Sequence, residues 1–493
     1  MTTLVTADFV VAHDGHGHTE LRDGAVLVDG DRIAWVGRAD DVPAGAGEHE
    51  RISLGRSILM PGLIDLDALA DVDHLTLDAW CDGPAQRRLD WSADYFARRH
   101  DVLTAEERST MRRFALAQLA LHGITTFMPI ASEVHSAWSE THDDLLDVAR
   151  IAGELGLRTF LGPSYRSGVH VTTEDGGSTI AWDDESGRRA FAEAVRFLDT
   201  VESLGDPLVT GVLAPCRIET VRAELLEATA RVSAERGTLV RAHALQDLAE
   251  RELFATAHGT TPLGLLERVG LLNERLVLAH GVYLDVHPEV HGEDRGDLAK
   301  LAAAGVSVIH CPLTNQRYAF LLEKLSQYLD AGVNIALGSD SFPPDLIRGI
   351  DAGVHLAKAQ HADLGRGLLA EYVDAATSGG ARALHRPDLG RIAVGATADL
   401  SAFALDDVRT GPVDDPLRTL VLAGSARDAR FSMVGGRTVL RDGAIPGIDL
   451  DRLREDGQRI FDRLKAAYGE RDHLAEGGAP LFPPVLPPFG APS

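Results

Sequence analysis

Four apolar runs between residues 238 and 341 end in side chains that can hold a cation or move a proton. TLVRAHALQ carries His243 near its end, with Gln246 about one helical turn beyond, and RLVLAHGVY carries His280. VSVIHCPLTN ends on His310, followed by Asn315, and VNIALGSDS ends on Asp340. A lone histidine is usually a satisfied structural residue. Three at successive run ends, followed by an aspartate at the last, form a pattern that packing alone does not require. Imidazole and carboxylate groups ligate divalent metals and exchange protons near neutral pH.

Those runs belong to a rhythm that fills the middle of the chain. Helical patterns such as AEERSTMRRFALAQLALHG, DDLLDVARIAGELG and ELLEATARVSAERG are each followed by a short apolar run. Helices alternating with apolar strands predict a parallel sheet with crossover helices, and the length suits an α/β fold of the (β/α)8 TIM-like barrel type. The rival is a doubly wound open sheet, but no Gly-rich phosphate loop follows an early strand. In a barrel, reactive groups sit at the carboxyl ends of the strands, where the four runs place theirs.

The ends of the chain read differently. ADFVVAH, GAVLVDG and DRIAWVG are short strands, with Asp23-Gly24 and Asp29-Gly30 as hairpin signals. The same texture returns in ADLSAFAL and RFSMVGGRTVLRDG. The expected organisation is a small composite β-sandwich from residues 1–60 and 389–445, around a barrel over 61–388. Residues 446–493 would add a helix, with Leu450, Leu453, Ile460, Leu464 and Tyr468 on one face, and a Pro-rich tail. The HDGHGH tract with His13, His16 and His18 reads as a solvated turn.

Composition narrows the function. The 493 residues are 45% hydrophobic, enough for a packed core, and the formal charge of -26 would repel nucleic acid and anionic membranes. Cys81, Cys216 and Cys311 are odd in number and widely spaced, which excludes a disulfide framework and fits a reducing cytoplasm. The N-terminus lacks a basic, apolar signal pattern, and no window approaches the roughly 18 apolar residues of a membrane span. The expected partner is a small-molecule substrate, and the expected assembly a homo-oligomer, provisionally a dimer.

The runs AHAL, LAHGVYLD, VIHCPLTN and ALGSD, together with PGLID at Pro61 and HGITTF at His122, resemble the amidohydrolase superfamily. SGGARAL at Ser378, LGRIAVGATADL at Leu389 and MVGGRTVLRDG at Met433 extend the likeness over nearly the whole chain. The nearest branch is that of cytosine, guanine and S-adenosylhomocysteine deaminases and triazine chlorohydrolases. The resemblance implies a mononuclear metal that activates water, with His243, His280 and Asp340 among its ligands. It also implies an H-x-H pair on the first barrel strand, and here the chain departs. Pro61–His74 reads PGLIDLDALADVDH, with Asp67 and Leu69 in place of the two histidines. Gln246 stands where the family has a proton-shuttling glutamate, and Tyr283 where it has a further histidine.

What remains still makes a count. Catalytic zinc commonly takes three protein ligands and an open position, and two histidines with a carboxylate also suit Fe(II) or Mn(II). Asp67 is either an added oxygen ligand or substrate contact, or a capping and ion-pairing group. Asp71, Asp73 and His74 are further donors if their loop folds back. A bridging lysine is excluded, since no lysine precedes Lys300, so one divalent metal is the maximum. An amide cannot relay a proton at neutral pH, which disfavours ordinary purine or pyrimidine deamination through Gln246. The expected roles are Asp340 as base and ligand, His310 as electrostatic aid, Gln246 as an orienting amide and Tyr283 as substitute acid or rim aromatic. Arg166, Asn315 and Arg317 are candidate substrate contacts. The expected function is a divergent amidohydrolase acting on a C–N or related bond of a small polar molecule. The alternative is a metal-independent isomerase or lyase, or a non-catalytic binding member of the same family.

Overall fold

Eight short parallel strands carry the candidate residues: β1 (Leu63–Leu69), β2 (Ile124–Ile130), β3 (Arg158–Leu161), β4 (Val209–Gly211), β5 (Val240–Ala244), β6 (Leu276–His280), β7 (Ser307–His310) and β8 (Asn334–Leu337). They come from a computed structural model that describes residues 2–43, 50–72, 83–130, 136–474, 481–486 and 489. Strands β1 to β4 pair in order, and β5 to β8 pair in order. The two arcs are stitched beyond β4, where Arg241 N–H donates to Leu213 C=O at 2.9 Å. They close again at β8 and β1, where Asp340 N–H donates to Asp67 C=O at 2.8 Å and Ser339 N–H to Asp65 Oδ1 at 2.9 Å. The result is the (β/α)8 barrel with an attached composite β domain.

Helices precede β2 to β8 and cover the outer face, so the strands are apolar on both sides. Their ends follow local chemistry. Helix Ala105–Leu121 starts at Thr104, which forms a capping box with Glu107. Helix Ala223–Arg236 stops where Gly237 turns left-handed at φ +66°. Inside the barrel, Leu66, Phe160, Val277, Ile309 and Ala336 fill the floor beneath the strand ends.

Strands from both ends of the chain share one eight-stranded sheet. Ser57–Pro61 pairs in parallel with Thr2–His13 and antiparallel with Leu400–Ala404, which continues into Ala429–Val434 and Arg437–Arg441. The Asp29-Gly30 signal does make a hairpin, joining His18–Asp29 to Arg32–Arg38. Asp23-Gly24 does not. It lies within His18–Asp29, where pairing with Thr2–His13 runs straight past it and Asp23 absorbs φ +49° inside the ladder. His18 also corrects its expectation: it is half-buried, with Nε2 2.9 Å from Thr377 Oγ1. The late helix, Leu450–Ala467, buries Leu453, Ile460 and Leu464 and seats Gly457 against Phe114 of helix Ala105–Leu121. Among the described residues no helix is long and apolar enough to cross a membrane.

Candidate metal centre

Asp67 is the hub of the barrel mouth. Its carboxylate is fully buried, and its two oxygens face different partners. Oδ1 accepts a hydrogen bond from Arg241 Nη1 at 3.0 Å and lies 3.6 Å from His243 Nε2. Oδ2 lies 3.6 Å from Cys311 Sγ and 3.9 Å from His280 Nε2. Burial alone would raise this carboxyl, but His243, Arg241 and His280 outweigh it and hold it well below the usual range. The close approach depends on Gly338 at the end of β8, where a Cβ would stand 2.5 Å from Asp67 Cβ and 3.0 Å from Cys311 Sγ.

One carboxylate oxygen of Asp67, one of Asp340, a ring nitrogen of His280 and the sulfur of Cys311 all lie within 4.8 Å of one another, and all four residues are buried. Four ligands at about 2.0–2.3 Å around a tetrahedral ion lie about 3.3–3.8 Å from one another. The donors therefore surround a position where a divalent cation would bind once they close by up to about 1 Å. Burial, with His243 beside it, pushes the His280 imidazole down to about 3, so it is neutral at physiological pH, the form that ligates metal. Apart from the Asn315 side chain, neither of its ring nitrogens has a hydrogen-bond partner among the described residues. His280 and Asp340 adopt φ +71° and +39°, a left-handed backbone that costs non-glycine residues about 1–3 kcal/mol each and clusters at functional sites.

His243 stands on the far side of Asp67, its ring centroid 5.2 Å from that of His280. Its Nδ1 lies 3.2 Å from the Cys216 carbonyl, which orients the ring so that Nε2 faces Asp67. His310 is buried, and burial alone pushes its imidazole down to about 3. Its Nδ1 has no partner among the described residues, and neither does Gln246 Oε1. Asn315 lies against His280, its amide otherwise without a partner among the described residues. Arg317 is half-buried beside Asp340 and donates to Ser341 Oγ. The Tyr283 ring packs on His287 at 4.6 Å, and burial raises its phenol.

Arg166 departs from its expected place. It is buried, with its guanidinium over the rings of Trp91 and Trp138 at 5.3 and 5.2 Å and donating to the Trp138 carbonyl. That environment makes it part of the wall. Asp71 accepts from Val72 N–H at 2.7 Å, whereas Asp73 and His74 lie outside the described residues. Sequence reasoning missed Arg241, Cys311 and Glu250. Arg241 precedes His243 by two positions, so strand alternation places both side chains on the barrel interior. Cys311 follows His310 directly at a strand end. Glu250 is buried, and its carboxylate accepts the Gln246 N–H at 3.0 Å, so it shapes the loop that carries Gln246.

The barrel, its composite β domain and this cluster of donors define the class. A model of the amidohydrolase family matches residues 58–439, and one of the bacterial imidazolonepropionase-like composite domain matches 24–45. The chain belongs to the amidohydrolase family and is a hydrolase. It is 29% identical over 468 residues to a 5-methylthioadenosine/S-adenosylhomocysteine deaminase of Halobacterium salinarum, covering 92% of this chain and 97% of that protein. It is also 29% identical over 444 residues to an 8-oxoguanine deaminase of Pseudomonas aeruginosa, covering 87% and 92%. Among solved structures, a zinc-bound adenosine deaminase from Xanthomonas campestris superposes with a TM-score of 0.73 at 24% identity, covering 94% of this chain and 98% of that one. The zinc complex of atrazine chlorohydrolase from Arthrobacter aurescens gives 0.74 at 22%, covering 93% and 99%.

Proposed function

We propose that this chain hydrolyses a C–N bond of a small polar molecule with the help of one divalent cation, zinc foremost, held by His280, Asp340 and Asp67 with His243 alongside. The observation that carries the reading is the convergence of buried donors within 4.8 Å at the barrel mouth. The relatives' names point the same way, since the deaminases among them break C–N bonds and two of the superposed structures contain zinc. When bound, the cation supplies Lewis acidity that draws the pKa of a water down towards about 7.

The chain's own groups do the rest. The Asp340 carboxylate accepts the proton of the attacking water. His310, neutral and with Nδ1 buried and unpartnered among the described residues, would hydrogen-bond the substituent that gains charge. Gln246 Oε1 accepts from a substrate N–H and orients it, which is the most an amide can do. Tyr283, its phenol raised by burial, stays protonated and would donate to a leaving nitrogen. Arg317 and Asn315 line the same mouth as contacts for polar substrate groups.

One observation favours the second reading, a metal-independent member. Arg241 already supplies Asp67 with a buried positive charge, at 2% exposure. Elemental analysis of protein purified without added metal separates the two. About one equivalent of zinc, iron or manganese, with activity lost to a chelator and restored by the ion, is the expected result. No metal and no response to reconstitution would overturn the first reading in favour of the second.

A further inference from the structure

We infer that Cys311 is a metal ligand, its thiolate taking up part of the coordination that Leu69 cannot supply. The inference rests on the metal-dependent reading above and adds a donor of a different kind. A buried cysteine is ordinarily a small hydrophobe, and Cys311 does pack in the apolar floor with Ile309 and Ala336. Its sulfur also turns to polar partners: the thiol donates to Asp67 Oδ2 at 3.6 Å, and it belongs to the one group of four donors within mutual ligand distance among the described residues. It sits immediately after His310, where β7 delivers its last residues to the mouth, and is fully buried. The space beside it is kept open by Gly338, whose missing Cβ would crowd the sulfur at 3.0 Å and Asp67 Cβ at 2.5 Å.

The arrangement divides Asp67 between two tasks. Arg241 anchors Oδ1 at 3.0 Å, which leaves Oδ2 turned to His280 and Cys311. On binding, the S–H bond breaks, its proton passes to buffer, and the sulfur lone pair enters the metal–sulfur bond, with no change of oxidation state. A thiolate donor also shifts preference towards the softer cations, zinc, cobalt and cadmium, and away from manganese and magnesium.

The test is cobalt substitution of the full chain after chelator treatment, read by absorption. We expect one equivalent of Co2+ to bind with d–d bands and a near-ultraviolet sulfur-to-cobalt charge-transfer band. The band should persist in a Cys81→Ser/Cys216→Ser variant and vanish in Cys311→Ser. The latter should also bind Co2+ at least about tenfold more weakly, a loss that even an outer-shell partner produces. Stoichiometric binding without the sulfur band in the unsubstituted chain would overturn this inference and leave the metal-dependent reading standing. No cobalt binding at all would overturn both. Should Cys311→Ser fail to fold, the spectra of the unsubstituted chain and the double variant decide alone.

Discussion

Arg241 is the residue that most alters the site from its sequence expectation. A guanidinium at 2% exposure beside a fully buried carboxylate is an ion pair removed from water. Such pairs are strongly destabilising to break, by about 3–5 kcal/mol, because the surviving charge is left without compensation. Arg241→Leu is therefore expected to lower the unfolding free energy of the metal-free protein by about that amount in urea denaturation. Adding a divalent cation should recover part of the loss, since the cation replaces the missing positive charge at Asp67. A loss below about 1 kcal/mol, the range of an exposed pair, would contradict this account. His243, His280, His310 and Asp340 were legible in the sequence because each interrupts an apolar strand at its carboxyl end. Arg241 was not, since an arginine inside a strand gives no hint of its partner, and Asp67 is remote from it in the chain. Cys311 was hidden by its type, which packing uses more often than chemistry does.

The elements were read more easily than the residues. Capped helices alternating with apolar runs left few alternatives to a barrel, and β2, β3 and β5 to β8 fall on the predicted runs. The Asp23-Gly24 turn failed because a local signal was overruled by a long partner strand, a competition that sequence near the turn does not display. The seam between β8 and β1 was invisible for a related reason: of its two bonds, one uses the Asp65 side chain where a regular ladder would use a carbonyl. Gly338 tests the seam directly. It does not take a left-handed φ, so its need is for space alone, between the Cβ of Asp67 and the sulfur of Cys311. Gly338→Ala should cost about 1–3 kcal/mol by overpacking and weaken cation binding in a calorimetric titration. Unchanged melting and unchanged binding would show that the wall yields there.

At the scale of the whole molecule, the barrel and the composite β domain are joined by a buried ion pair. Arg158 on β3 holds Asp399 through Nε at 2.9 Å and Nη2 at 3.2 Å, with side chains 5% and 3% exposed. Asp399 also accepts the Gly435 N–H at 2.7 Å, and its carbonyl accepts the Gly62 N–H at 2.9 Å, so one residue ties three segments together. Arg158→Met should cost about 3–5 kcal/mol and broaden or split the calorimetric transition as the β domain loosens first. A single sharp transition at the original temperature would count against that role. The composite domain was foreseen from strand texture at both chain ends, but the pair that fastens it was not, because its members are far apart in sequence. The junction at Asp67 and Asp340 carries its own implication. The same two residues hook the cylinder shut and offer oxygens to an ion, so an occupant would act as a rivet through the last stave. Capturing the ion and keeping the barrel from breathing would then become one event.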